Sequence, residues 1–320
     1  MEIISNISGS FTLLGLVEME MHKYPYFLFS TVIYVFILMM NGIIVLVVVK
    51  ERTLHEPMYI LIASLVLNEI FGSSSFFPKL IVDLITSSKT ISHRECLIQI
   101  LCISTFVLFE MGTFTVMAYD RYLAVCQPLQ YASLMTNDKV LKIAATCWVT
   151  SFTCIFVAVL MGWNLPLCGD KINSVFCDNM SFIVLSCLDA SVNRIYASAV
   201  TYVYFCMTIS VTVFSYFRIF MVCLRVSKES RRKAFHTLVT HLLNFSIFLM
   251  GVFFVFLRYR LERVNLPLMV HVLLSVTPLV FPPLLNPLIY GIRTQALKIK
   301  VIYYLQKINE GPKWTTIQMK

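Results

Sequence analysis

The stretch Tyr26–Val49 reads YFLFSTVIYVFILMMNGIIVLVVV, without one charged residue, and ends on Lys50-Glu51-Arg52. As an α-helix it would be about 36 Å long at 1.5 Å per residue. The hydrocarbon core of a bilayer is about 30 Å thick. A surface helix of a soluble domain shows a polar face; this stretch shows none, so its solvent is lipid. Further apolar spans follow at Pro57–Thr86, Cys96–Cys126, Lys139–Gly162, Asn193–Leu224, Ala234–Leu257 and Leu266–Tyr290. Pro57 suits a first helical position, while Gly72 and Pro78 predict a kink or an early end. After the seventh span, Thr294–Lys307 sets Ala296, Leu297, Val301, Ile302 and Leu305 near one face and its lysines elsewhere. That pattern predicts a short basic helix lying on a membrane surface. The expected fold class is an all-α membrane protein: a seven-transmembrane helix bundle with a short amphipathic C-terminal helix.

Composition agrees. Of 320 residues 58% are hydrophobic and 13% charged, against about 25% charged in soluble chains. A water-soluble enzyme is excluded, and 25 Phe exclude disorder. A net charge of +9 would suggest nucleic acid in a soluble protein. Here the bilayer is the partner and no nucleic acid is expected, so what matters is where the charges fall. One set of connections, with the C-terminal tail, carries 17 Lys and Arg, and the other carries 9. Positive charge accumulates on the cytoplasmic side. That predicts an extracellular N-terminus over 1–25, a membrane domain over 26–293 and a cytoplasmic helix and tail over 294–320. An odd helix count puts the termini on opposite sides, which agrees. Phe11–Val17 is apolar but short and follows no basic segment, so the first membrane helix is expected to act as an uncleaved signal. The sequons at Asn6 and Asn179 then fall outside and are usable, whereas Asn244 falls mid-helix and should be silent.

Cys96, Cys168, Cys177 and Cys187 all fall on the outer side, where an oxidising compartment favours two disulfides. Spacing leaves all three pairings open. The other six cysteines lie in or beside helices, where a free thiol packs as a small apolar group.

Several strings go beyond topology. The third span ends MAYDRYLAVCQPLQY (Met117–Tyr131) and the seventh ends PLLNPLIYGIRT (Pro283–Thr294). The first connection holds LHEPMY (Leu54–Tyr59), the sixth span opens RKAFHTLVTH (Arg232–His241), and FTLLG (Phe11–Gly15) lies near the N-terminus. Together these closely resemble the odorant (olfactory) receptors, a branch of the rhodopsin-like G-protein-coupled receptors. The likeness runs from Phe11 to Thr294, and LHEPMY with Phe77-Pro-Lys79 is closer to fish-type receptors. Two features depart from the pattern. The sixth span carries Phe248-Leu-Met-Gly251 in place of Phe-Tyr-Gly, and Thr240 precedes His241 where the family has Cys.

The resemblance implies disulfides Cys96–Cys177 and Cys168–Cys187. It implies a switch built from Asp120, Arg121, Tyr122, Tyr216, His241, Asn286, Pro287 and Tyr290, with Arg121 released from Asp120 to meet a heterotrimeric G protein. By position alone Arg121 could be a snorkelling interface residue. Pro287 removes a backbone bond that Asn286 could re-satisfy, and Asn41 is a candidate interhelical partner. Glu69 and Glu110 are the acids set well inside the spans, where a carboxylate is costly. They fall where many rhodopsin-like receptors hold sodium; sharing a proton, or a purely structural role, stays open. No other cofactor is expected.

A small-molecule odorant is expected among the outer halves of four spans. Candidate contacts are Ile103, Ser104, Val107 and Leu108 on the third, and Val200 and Tyr204 on the fifth. Phe253, Phe256 and Arg260 on the sixth and Val276 and Leu279 on the seventh complete the set. Arg260 aimed inward would favour an anionic ligand, while Arg258 and Arg263 beside it make a surface role as credible. The implied partner is a stimulatory, cyclic-AMP-raising G protein at the plasma membrane. Competing readings are a rhodopsin-like receptor for another ligand class and a small transporter. A transporter would show an internal repeat, which is absent. A retinal receptor needs a lysine in Leu266–Tyr290, and there is none. His236, His241 and His271 stand apart, so the chain is not read as an enzyme.

Overall fold

The computed structural model describes residues 9–225, 228–261 and 267–309. The side chains of 228–237, 256, 258–261 and 307–309 lie outside the described set, as do residues 1–8 with the Asn6 sequon. The elements run β1 (Ser10–Leu13), α1 (Leu14–Met19), α2 (Lys23–Lys50), α3 (Pro57–Thr86), β2 (Thr90–Ser92) and α4 (His93–Cys126). They continue α5 (Pro128–Leu134), α6 (Asn137–Trp163), β3 (Lys171–Ile172), α7 (Asn179–Ile183), α8 (Ser191–Cys223), α9 (Lys228–Leu261), α10 (Leu268–Arg293) and α11 (Gln295–Asn309). Among the described residues seven helices are long and apolar enough to cross a membrane: α2, α3, α4, α6, α8, α9 and α10.

Sequence periodicity and the helices agree closely in number and position, with three informative differences. First, α3 runs unbroken through Gly72 and Pro78. A proline in a membrane helix costs one backbone bond, which neighbouring helices make tolerable. Gly72 is there for packing, since a Cβ on it would lie 2.4 Å from the Phe106 ring of α4. The helix ends instead at Ser87, in the left-handed region at φ 55°. Second, α4 begins at His93, three residues before the apolar run. Ser92 caps it, its hydroxyl accepting from Glu95 N while the Glu95 carboxylate accepts from Ser92 N. This Ser-x-x-Glu capping box is readable in sequence. Third, α9 extends past Ala234–Leu257 at both ends, because the basic run that leaves the bilayer stays helical.

α4 is the hub of the bundle and packs on α3, α6, α8 and α9. At one end of the bundle both disulfides form, Cys96–Cys177 and Cys168–Cys187. There Ser10–Leu13 pack onto the bundle. β1 is the middle strand of a three-stranded sheet, antiparallel to β2 with Phe11 opposite Ile91, and parallel to β3 with Leu13 opposite Ile172. Phe11 and Leu13 are completely buried, and the Phe11 ring meets Phe182 edge-on at 5.9 Å. Burying two such side chains contributes about 3–6 kcal/mol, which is why Phe11–Val17 folds back on the bundle.

At the opposite end α11 turns Leu297, Val301 and Tyr304 onto the bundle. Ile302 and Leu305, grouped with Leu297 by sequence, face outward with Ile299 and Tyr303. The helix therefore has two apolar faces, one for the protein and one for its surroundings. Glu51 fastens it, pairing with Lys300 at 2.6 Å and accepting from Tyr304 at 3.0 Å. The Lys300 bond, and then Tyr304's, hold the Glu51 carboxyl below its usual range.

Candidate functional site

Inside the bundle, polar side chains form a column. Asn286 on α10 lies next to Glu69 on α3 and Glu110 on α4, all at most 1% exposed. The Asn286 amide donates to Glu69 Oε1 at 2.5 Å and to Glu110 Oε1 at 3.5 Å. One amide thus serves both carboxylates. The second oxygens, Glu69 Oε2 and Glu110 Oε2, have no hydrogen-bond partner, nor do Asn286 Oδ1 and Ser73 Oγ. Ser73 is fully buried one turn along α3 from Glu69; as one serine within the run Ser73–Ser75 it carries no signal in the sequence. Buried oxygens without donors suit a hard cation.

Asn286 is not the group that satisfies the carbonyl freed by Pro287. That carbonyl belongs to Pro283, four residues back, and Asn41 Nδ2 on α2 donates to it at 2.9 Å. Asn286 is thereby left free for the acids. The interhelical role expected of Asn41 is real, and its target is this backbone defect.

Toward the end of the bundle opposite the disulfides the column continues through Tyr290, which is fully buried. Its hydroxyl lies 3.4 Å from His241 Nδ1 on α9 and 3.9 Å from Met117 Sδ on α4. Arg121 Nη2 sits 3.3 Å from Asp120 Oδ2, with Asp120 only 1% exposed. The other oxygen, Asp120 Oδ1, accepts from the Tyr131 hydroxyl on α5 at 2.9 Å. Asp120 is therefore shared between Arg121 and Tyr131, a second partner that no spacing rule announces. Burial, then the Asp120 charge, pushes the Tyr131 phenol above its usual range, so it stays a donor. Tyr122 and Tyr216 pack together in a small separate cluster with Ile219, Cys223 and Leu238.

Nearer the disulfides, Ile103, Leu108 and Leu279 are buried, with Val107, Val200, Tyr204 and Val276 packed against the same core. Ser104 is half-buried. The Tyr204 hydroxyl is turned toward α6, within 3.4 Å of Thr150 and 3.5 Å of Ser151. Phe253 does not belong with this group. It is 58% exposed and faces out of the bundle. The inward face of α9 is instead His241, Asn244, Phe245, Phe248 and Val252, a helical i, i+3, i+4 series that Phe253 falls outside by one residue. The side chains of Phe256 and Arg260 lie outside the described residues. Gly251, retained from the altered Phe-Leu-Met-Gly string, lets α9 approach α10: a Cβ there would lie 3.2 Å from Pro278 Cα. Asn179 opens α7 and is half-buried, and Asn244 is fully buried within its span.

The chain has clear relatives. A family profile described as olfactory receptor matches residues 29–307. Human olfactory receptor 2A12 is 33% identical over 284 residues, covering 88% of this chain and 89% of its own length. Human olfactory receptor 4K5 is 32% identical over 299 residues, covering 93% and 91%. Mouse olfactory receptor 8U3 is 32% identical over 298 residues, covering 92% of each.

Proposed function

The chain belongs to the olfactory receptor family, and from that membership we propose that it binds an odorant from the extracellular side and passes the signal to a stimulatory G protein. Membership makes it a multi-pass membrane receptor of the G-protein-coupled type, and not an enzyme. The bias of Lys and Arg supports an extracellular N-terminus, a membrane domain over 26–293 and a cytoplasmic tail from 294. The two disulfides, which need an oxidising compartment, support the same orientation. Asn6 and Asn179 are then the glycan acceptors.

The observation that carries the reading is the shared Asp120. Its carboxylate holds Arg121 on one oxygen and Tyr131 on the other. In the signalling form Arg121 leaves Asp120 and faces the G protein, with Tyr216, His241 and Tyr290 available to receive or release it. A ligand among Ile103, Ser104, Val107, Leu108, Val200, Tyr204, Val276 and Leu279 acts by preferring the form in which α9 has moved away. Phe256 and Arg260 are candidate contacts on α9, and an inward Arg260 favours a carboxylate ligand.

Glu69, Glu110, Asn286 and Ser73 fit a sodium ion, each bringing a buried oxygen without a donor. When bound, the ion's single charge would balance one carboxylate, and the other would keep its proton. Asn286 orients both acids, and Asn41 keeps Asn286 free to do so.

The test is a cyclic-AMP reporter in cells expressing the chain, challenged with acids, amines, aldehydes and alcohols. A ligand-evoked rise that is lost in Arg121→Ala at equal surface expression supports the reading. Signalling that no ligand changes across the panel refutes it. If Arg260 reads a carboxylate, acids alone lose potency in Arg260→Ala.

A further inference from the structure

We infer that the N-terminal strap Ser10–Met19 is a wall of the ligand pocket and that Gly15 sets the depth of that pocket. The inference rests on the reading that the ligand lies between α4 and α10.

The strap crosses the bundle at the disulfide-bearing end, held by backbone bonds. Thr12 N donates to Asp170 O at 2.7 Å, Leu13 N to Lys89 O at 2.8 Å and Gly15 N to Ser174 O at 3.1 Å. Two segments distant in sequence, one at Lys89 and one over Asp170–Ser174, are thus tied to it. Beneath lies the segment Ser174–Cys177, all of it buried. Its far end is pinned to α4, where Gln99 Oε1 accepts from Cys177 N at 2.9 Å and the Cys96–Cys177 disulfide closes. At its near end the strap, at Gly15, lies against both this segment and α10. A Cβ built on Gly15 would lie 2.6 Å from Val175 Cγ1, 2.9 Å from Val272 Cγ2 and 3.0 Å from the Ser174 carbonyl carbon. Any side chain at 15 must therefore lift the strap or drive Val175 inward.

The two anchor points mark what lies below. Gln99 is one helical turn above Ile103 on α4, and Val272 is one turn above Val276 on α10. Ile103 and Val276 are the outermost proposed ligand contacts on their helices. Val175 and Phe176 therefore roof the space between them, and Gly15 fixes how low that roof sits. This explains why Phe11–Gly15 reads as a motif yet belongs to no part of the switch. Phe11 and Leu13 moor the strap, and Gly15 allows its close approach.

The experiment has two arms. In the first, cells expressing the wild type, Gly15→Ala or Val175→Ala at matched surface levels are titrated with straight-chain aldehydes and alcohols of increasing length. Val175→Ala should move the optimum to longer chains and Gly15→Ala to shorter ones. The change should be about tenfold in potency per methylene, the usual discrimination of an apolar pocket. In the second arm, Val276→Cys is labelled on intact cells with a membrane-impermeant methanethiosulfonate, with and without Gly15→Val. Labelling should be slow behind the native strap and about tenfold or more faster once valine lifts it. Unchanged length profiles together with unchanged labelling, at normal surface expression, overturn the inference. The labelling arm needs no agonist. A wild type that answers no odorant but shows strap-dependent labelling refutes the proposed function and leaves the pocket wall standing.

Discussion

The side-chain amide of Asn41 on α2 donates to the main-chain oxygen of Pro283 on α10 at 2.9 Å, across 242 residues of chain. Pro287 deletes the N–H that would have served this carbonyl in a regular helix. In lipid no water can substitute, so the first and last membrane helices are joined at a backbone defect. Asn41→Ala should lower stability by about 1–3 kcal/mol, the cost of a buried acceptor left alone. Thermal unfolding of the purified receptor in detergent reads this directly, and an unchanged midpoint would sink the assignment.

Tyr131 holds one oxygen of Asp120 while Arg121 holds the other. Removing the hydroxyl in Tyr131→Phe deletes a hydrogen bond to a charged group, about 1.5–3 kcal/mol. Part of that loss falls on the resting form alone, so ligand-free cyclic AMP should rise several-fold at matched surface expression. Basal signalling equal to wild type would show that Tyr131 only fixes α5.

If Glu69, Glu110, Asn286 and Ser73 hold sodium, the receptor should melt at a higher temperature in sodium chloride than in choline chloride of equal ionic strength. Glu69→Gln and Glu110→Gln should each abolish that difference. A wild type indifferent to the cation would leave the two acids to a proton and the Asn286 amide.

The docking of α11 should fail in acid. Lys300 and Tyr304 hold the Glu51 carboxyl below its usual value, so the folded pKa lies under the unfolded one. The contribution is therefore complete above the unfolded value of about 4.3 and lost as pH falls through the folded value. A spin label at Gln306 should be immobile at neutral pH and loosen only below about pH 4. Glu51→Gln should be mobile at neutral pH with no acid transition, and equal mobility of the two proteins at pH 7 would refute the tether.

Helix number and position were legible because lipid imposes a one-dimensional rule: about 20 apolar residues in a row. Tyr26–Val49 needs no partner to be recognised. The carboxylates Glu69 and Glu110 stood out for the same reason, as charges where charge is costly. Phe253 was misjudged because an all-round apolar helix carries no periodicity to tell its lipid face from its core face. Tyr131, Ser73 and the strap were missed because each acts through a partner far away in sequence. The resemblance supplied the disulfide pairing, which spacing had left open.

Membrane class, seven spans, a two-sided charge distribution and the positions of the intramembrane acids all follow from the order of residues, because each is a property of one helix against its solvent. Which side chains meet does not. That Asn41 serves Pro283, that Asp120 divides itself between Arg121 and Tyr131, and that Gly15 lies on Val175 and Val272 depend on how helices pack. Packing is a relation between surfaces that no single segment contains.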